Sequence, residues 1–590
     1  VCPGTSARIM MYWAGCAAVL LAAHALAQSG LGLIVISGAA AGAAITALWS
    51  VREYLFTALA VGDYSWRPFG PFVNPNALAG YMLAGVPAMF ALAASLKYQA
   101  FEKEPGHPVR LAFLFVAALT AVGMLALIVT GSKGALLAGA VALVAVVAKT
   151  RGGKRAVLAA LAVILLAVVL PPVRNRITAA FSTQRGTSLG FRIQTWLGTW
   201  DMAKARPLVG WGPGCFTHAY PRFARVPFTS MAHFSWLQVA AESGLPVALL
   251  FTTAFVLLFA DCLGTKSQWG PFGGFAMAGL LLQNVVDYTL YLPAVALTAL
   301  AVAGTALGDG ARAGPEHQSL PPGGRGAWPA IASLTAGMLM SLWFAAASLT
   351  GAHAEALVSK GFYLGASRQA EIAACRAGFD RDLWVQLGKI REGLAGEPPD
   401  AEGLAQAADA YRWAAVWAPT DPAGYIGAAR CYRRAGKPEQ AVAWSRRAAE
   451  VYPNGPPALL EYARCLEQAG DVKAALDVYR RIAALADGPY GQYPALEGWA
   501  DYRIAIAAAA VARSNTGEKA IEMWRRAGQV LVQSLSWSRA YRSTLESTGR
   551  LDVGLDAELD SLAMDTATAL SRGGAGDRET ARKLRELAGG

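Results

Sequence analysis

Leu111-Ala-Phe-Leu-Phe-Val-Ala-Ala-Leu-Thr120-Ala-Val-Gly-Met-Leu-Ala-Leu-Ile-Val-Thr130 runs for twenty residues without a charge. An α-helix rises ~1.5 Å per residue and a bilayer's hydrocarbon core is about 30 Å thick, so this stretch is the length of one membrane crossing. Similar stretches lie near 9–27, 31–49, 77–96, 134–148, 155–171, 236–260, 272–288, 291–308 and 328–349, which makes ten expected spans in all. Composition agrees: 55% of the residues are hydrophobic and 16% charged, with mean hydropathy +0.35, whereas soluble domains carry roughly 25% charged residues. The shortfall is confined to residues before about Leu349, and from Glu355 onward the chain reads as an ordinary soluble helical domain. The expectation is an all-α protein, with a transmembrane helix bundle over 1–350 and a soluble helical domain over 355–535. A polar helical tail, frayed toward its Gly-Gly end, fills 536–590. The first apolar stretch has only Arg8 ahead of it and reads as a membrane helix rather than a signal peptide. The start at Val1 leaves room for further helices upstream.

Basic residues in short loops set orientation. Lys149-Thr-Arg151-Gly-Gly-Lys154-Arg155 has four basic residues and no acid, which places it in the cytoplasm. Alternation then puts 172–235 and the soluble tail outside, in the periplasm of a Gram-negative cell. The segment 171–233 holds Arg174, Arg176, Arg185, Arg192, Lys204, Arg206, Arg222 and Arg225 against the single acid Asp201, a net charge of +7. A cationic external loop of this size is suited to holding an anion.

In the soluble part, Arg430-Cys431 recurs as Arg464-Cys465, Ala435-Gly436 as Ala469-Gly470, and Arg446-Arg447 as Arg480-Arg481, all at an offset of 34. That period, with small residues at fixed places and Pro419 and Pro453 at repeat ends, is the tetratricopeptide signature. Such repeats stack into an α-solenoid with a concave face suited to a protein or glycan partner. Arg433, Arg434, Arg446 and Arg447 read as solvated helix faces rather than a nucleic-acid patch. The seven cysteines are odd in number and include no CxxC pair, which argues against a zinc site or a disulfide framework; most read as small apolar packing groups, with Cys431 and Cys465 as core spacers.

Three external segments carry the candidate chemistry. The first is Trp66-Arg67-Pro-Phe-Gly70-Pro-Phe-Val-Asn74-Pro-Asn76-Ala-Leu-Ala-Gly80-Tyr81, a Gly/Pro-rich loop running into a span, with Asn76 at the expected helix N-cap. The second is Gly190-Phe-Arg192-Ile-Gln-Thr-Trp196, an external helix, followed by Arg206-Pro-Leu-Val-Gly210-Trp-Gly212-Pro-Gly214-Cys-Phe216. The third is Ala232-His233-Phe-Ser235-Trp-Leu-Gln238-Val-Ala-Ala-Glu242-Ser-Gly244-Leu-Pro246, a histidine opening a helix with Gln238 and Glu242 below it. Each has a bland alternative: a snorkelling arginine, a turn, an interfacial histidine, a satisfied acid between helices.

Together with Ser132-Lys133-Gly134, these elements in this order resemble the O-antigen ligase and polysaccharide polymerase family, over about 50–290. The resemblance implies a membrane helix bundle of the lipid-sugar glycosyltransferase type that works without a metal or other cofactor. It implies transfer of a glycan from undecaprenyl diphosphate to an acceptor hydroxyl at the outer face of the inner membrane, with inversion at the anomeric carbon. In that reading Arg67 and Arg192 neutralise the departing diphosphate with support from Lys133, and His233 is the general base. Asn76, Arg222, Arg225, Gln238 and Glu242 are assigned to substrate binding. The acceptor is a lipid, a glycan or a protein, which leaves ligase, polymerase and protein O-glycosylation open. A non-enzymatic membrane scaffold using the repeats is the alternative from another class. Where the family usually has His-Asn this chain has His233-Phe234, so the resemblance supplies no partner to orient the imidazole.

Overall fold

The computed structural model describes residues 2–62, 66–72, 74–103, 107–148, 188–227, 229–312, 327–396, 398–492, 502–540 and 553–588. All regular structure among them is helical. The chain divides into two compact units: Ile9–Ser182 with Met231–Met340, and Val1–Arg8 with Thr183–Ser230 and Ser341–Gly590. The expected span 155–171, the basic turn Lys149–Arg155 and the beginning of the cationic loop lie outside the described residues.

In chain order the first helices are α1 (Pro3–Gln28), α2 (Gly32–Val61), α3 (Pro75–Tyr98), α4 (His107–Val129), α5 (Lys133–Val147) and α6 (Ser188–Ala205). Then follow α7 (Ser235–Ser243), α8 (Leu245–Gly264), α9 (Gly270–Gln283), α10 (Pro293–Arg312) and α11 (Ala327–Ser359). Among the described residues, six helices are long and apolar enough to cross a membrane: Pro3–Gln28, Gly32–Thr57, Pro75–Phe101, Pro108–Val129, Leu245–Gly264 and Pro293–Arg312. The apolar α5 and α9 are shorter.

The first unit is built around α3. It packs against α2, α4, α5, α9 and α10, and nearly all of its length is buried. Lipid tails are as apolar as leucine, so helix association here depends on close packing of small residues rather than on water exclusion. A Cβ on Gly85 would stand 2.6 Å from the Ala43 Cβ, and one on Gly308 of α10 would stand 2.1 Å from the His24 carbonyl oxygen of α1.

One expectation is corrected. The span 236–260 is two helices, α7 and α8, because Gly244 adopts φ +89 between them and Pro246 opens the second. Pro supplies no N–H there, and the first helical turn needs none.

The second unit gathers the described part of the cationic segment with the tail, whereas the hydrophobic pattern assigns 172–235 to the 1–350 domain as a loop. Its helices continue as α12 (Tyr363–Arg376), α13 (Arg381–Leu394), α14 (Ala401–Trp417), α15 (Pro422–Arg434), α16 (Pro438–Val451), α17 (Pro456–Gln468) and α18 (Val472–Ala484). The last are α19 (Tyr502–Arg513), α20 (Gly517–Ala540), α21 (Val553–Leu570) and α22 (Ala575–Ala588). From α12 to α18 each helix packs mainly on its chain neighbours, and the starts of α15 and α17, like those of α16 and α18, are 34 residues apart. Cys431 and Cys465 are buried between helices, as expected. Arg433 and Arg434 are not simply solvated. Arg433 Nε meets Glu461 at 2.6 Å, and Arg434 sits 3.6 Å from Glu392, the carboxylate that Arg430 also grips. Farther along the chain, α21 and α22 pack on α20 through buried Leu531, Leu535, Leu562 and Leu584.

A buried ionic cluster ties this unit together. His218 Nδ1 lies 2.7 Å from Asp421 Oδ2, Arg381 Nη2 donates to Asp421 Oδ1 at 2.5 Å, and Arg8 reaches Asp380 at 2.9 Å. Asp421 also caps α15 by accepting from the Ala423 N–H. Burial pushes its carboxyl upward, but Arg381 and His218 outweigh that and hold it below the usual carboxylate range.

Two tests follow from this packing. Gly308→Leu will lower the melting temperature in detergent by an amount corresponding to ~1–3 kcal/mol of overpacking, whereas Gly15→Leu, at a site open on all sides, will not. Asp421→Ala, which takes the buried carboxylate from Arg381 and His218, will cost about 3–5 kcal/mol, read as faster proteolysis of the tail. Because the folded carboxyl is depressed, its contribution is complete above about pH 4 and disappears as pH falls further.

Candidate functional site

The site grows from the amino end of α3. Asn74, with φ −160, caps the helix by accepting from the Ala77 N–H at 2.9 Å, and Pro75 fills the first turn. The expected cap, Asn76, is instead inside the helix, which frees its side chain for another task. Its Oδ1 accepts from Arg67 Nη2 at 2.9 Å, while Arg67 Nε donates to the Thr130 carbonyl at 2.5 Å. The first motif is thus bound to the turn that presents Ser132 and Lys133, the latter exposed at the first position of α5. The loop itself is held by the Gly70 N–H, which donates to Glu53 at 2.8 Å. Gly70 has φ +55, and a Cβ there would meet Ser50 Oγ at 2.8 Å.

The third motif arrives at the same place. His233 is the one non-glycine residue among those described with positive φ, +53. Such a backbone costs of order 1 kcal/mol or more and persists only where its surroundings impose it. Those surroundings are visible on both sides. Before it, the Ala232 N–H donates to Gln238 Oε1 at 2.9 Å, and Gln238 Nε2 donates to Glu242 at 3.0 Å. After it, the Ser235 N–H donates to the Asn284 carbonyl at 2.9 Å and the Ser235 hydroxyl to Asn284 Oδ1 at 2.7 Å. Asn284 further accepts from the Leu290 N–H and donates to Thr289 Oγ1 and the Leu280 carbonyl.

The imidazole is therefore aimed. Its Nδ1 faces Asp287 Oδ1 at 3.7 Å, within ion-pair range and longer than a hydrogen bond. Tyr288 packs edge-on against the ring at 5.0 Å, and its hydroxyl accepts from Asn74 Nδ2 at 3.0 Å. Gln283 Nε2 donates to the Asn76 carbonyl at 3.2 Å. Two chains of contacts thus meet at the first turn of α3: Arg67 on Asn76, and Asp287, His233 and Tyr288 on Asn74.

Gln238 and Glu242, expected to bind substrate, are almost fully buried and bonded to each other. Glu242 also accepts from the Tyr291 hydroxyl at 3.2 Å. In this structure Gln238 holds the Ala232 N–H beside His233, and Glu242 holds Gln238. Asp287, Tyr288 and Asn284 were not assigned from the sequence. The available signal was a polar Asn284-Val-Val-Asp287-Tyr288 run between two apolar helices, where ionisable groups are costly.

The other expected residues lie in the second unit. Arg192 sits half-buried in the first turns of α6. Arg225 is paired with Asp201, the segment's one acid, which also meets Lys204 at 2.9 Å. Arg222 is exposed and lines a 340 Å³ cavity with Thr420, Arg447 and Glu450. The glycine cluster is a structural turn: Gly210, Gly212 and Gly214 all have positive φ, Trp211 donates to the Met202 carbonyl, and Arg206 stacks 4.2 Å over its ring.

The apolar helices point to a multi-pass membrane protein, in which contacts of both Arg67 and His233 lead to the start of α3. Residues 113–252 match the family described as O-Antigen ligase, a stretch that includes Lys133, Arg192, Arg222, Arg225 and His233 and begins after Arg67 and Asn76. The match covers less than half of the chain and suggests a glycan-transfer function at a membrane. No curated protein matches the chain.

If Gln238 is a support, Gln238→Ala will leave buried Glu242 Oε1 and the Ala232 N–H short of a partner and lower stability by about 1–3 kcal/mol, measured as a melting shift without substrate. An unchanged melting temperature would return Gln238 to the substrate contacts.

Proposed function

We propose that the protein transfers a glycan from undecaprenyl diphosphate to an acceptor hydroxyl at the periplasmic face of a bacterial inner membrane. The observation that carries this reading is that Arg67, bound to Asn76, and His233, packed edge-on against the Tyr288 that Asn74 holds, are both tied to the start of α3, which brings a phosphate-binding group and a base to one helix end. The O-antigen ligase match over 113–252 supports it.

In this mechanism His233 accepts the proton of the acceptor hydroxyl, whose oxygen attacks the anomeric carbon. The bond from that carbon to the diphosphate breaks on the opposite face, so the configuration inverts. Arg67 takes up the charge growing on the diphosphate, and Arg192 and Lys133 are assigned the same task. A guanidinium forks onto two phosphate oxygens, and this charge stabilisation is commonly the largest catalytic contribution. No metal is required. Asp287, facing Nδ1 at 3.7 Å, steadies the imidazolium formed in the step. It takes the orienting place that the residue after the histidine, Phe234 here, does not fill. The tail, with its helices on a 34-residue period, serves as a tetratricopeptide solenoid that recruits the acceptor or an assembly partner. The acceptor is a lipid or glycan in a ligase or polymerase, or a protein.

The test is transfer of a lipid-linked glycan by the purified protein in nanodiscs. His233→Ala will lower the rate by ~10²–10⁴-fold, and Arg67→Ala and Arg192→Ala will be similarly impaired. Full transfer by His233→Ala would overturn the base assignment. No transfer to lipid, glycan or protein acceptors would favour a scaffold.

A further inference from the structure

The second unit holds a pair of cysteines that glycan transfer does not use. Cys2 and Cys215 are both buried and form one small apolar cluster with Ala418. Cys215 Sγ is 3.7 Å from the Cys2 carbonyl oxygen and 3.4 Å from the Ser6 hydroxyl. Cys16 and Cys262 also fall in one core cluster, the large one of the first unit, but among the described residues the Cys262 thiol meets the Ala303 carbonyl rather than the other cysteine.

The approach of these two residues is imposed by neighbours on both sides. Thr5 Oγ1 meets His218 Nε2 at 3.1 Å, the Ser6 hydroxyl donates to the Pro213 carbonyl at 2.9 Å, and Arg8 pairs with Asp380 at 2.9 Å. Gly4 lies so close to the 379–380 backbone that a Cβ would stand 2.8 Å from the Phe379 carbonyl oxygen. Residues 2–8 therefore have one register against 213–218, and that register sets thiol beside thiol.

We propose that Cys2 and Cys215 form a disulfide bond that fastens the amino end of α1 to the glycine-rich turn of the cationic segment. The proposal rests on the external placement of this unit that the proposed function requires, since thiols oxidise and stay oxidised outside the cytosol. The oxidant is a protein or small-molecule disulfide of that compartment. The Cys215 thiolate attacks it, displacing one thiolate and forming a mixed disulfide. Cys2 then loses its proton and attacks the Cys215 sulfur, releasing the second thiolate. Two cysteine protons are lost, and two electrons reduce the oxidant to a dithiol. Cys215 is suited to the first attack, because the hydrogen bond from Cys2 outweighs burial and draws its thiol down to about 6. The link closes a separation of 213 residues, so it constrains the unfolded chain strongly.

The full chain in its native membrane is denatured in N-ethylmaleimide, digested without reductant and analysed by mass spectrometry. The expected product is one peptide pair joined through Cys2 and Cys215, with Cys375 alkylated. Dithiothreitol will lower the melting temperature of the wild type and leave Cys215→Ser unchanged. Alkylation of both Cys2 and Cys215, or a link between two chains, overturns the proposal. A parallel sample treated with oxidised glutathione shows which premise failed. A link formed only there means that the unit resides in a reducing compartment, and none even there means that the sulfurs do not meet. The first result counts against the external placement that the proposed function requires, whereas the second leaves glycan transfer, which has its own assay, untouched.

Discussion

A polar group inside a membrane protein has no water to turn to, so each must find a protein partner or be costly. Asn284 shows how much structure that one constraint organises. Its side chain bonds Ser235 at the start of α7, the Leu290 N–H and Thr289 in the following turn, and the Leu280 carbonyl of its own helix. Every donor and acceptor of the amide is thereby used. The segments that carry His233, Asp287 and Tyr288 consequently have a single mutual arrangement. The strained backbone of His233 is the local consequence, and an aimed imidazole is the result.

The same logic explains the division of labour among the polar residues. Asn74 and Asn76 are separated by one proline and do different things: one caps α3 and holds Tyr288, the other holds Arg67. Gln238 and Glu242 satisfy each other and hold a backbone amide. Residues that look alike in a motif thus separate into those that face the reaction and those that keep the first kind in place.

In the second unit the organising interaction is ionic. Asp421 caps a helix, pairs with His218 and accepts from Arg381, so a carboxylate that would be costly to bury alone becomes the joint between the cationic segment and the tail helices. Arg225 and Lys204 share Asp201 in the same way, which leaves less of the segment's positive charge for an external anion than a simple count implies.

Much of this was legible in the sequence. Hydrophobic runs near 30 Å long require membrane helices, and a 34-residue repetition requires repeating helix starts, because both patterns are local and periodic. Arg67, Lys133 and His233 could be singled out because charge and imidazole are conspicuous in apolar surroundings. The break at Gly244 was written in the neighbouring Gly and Pro, but continuous hydrophobicity masked it. What only the tertiary structure decided are the pairings across long separations: His233 with Asp287, Asn74 with Tyr288, His218 with Asp421 and Cys2 with Cys215. A periodic pattern encodes which face of a helix is apolar. It does not encode which distant polar group will satisfy a given donor, since that choice is made by packing once the helices meet.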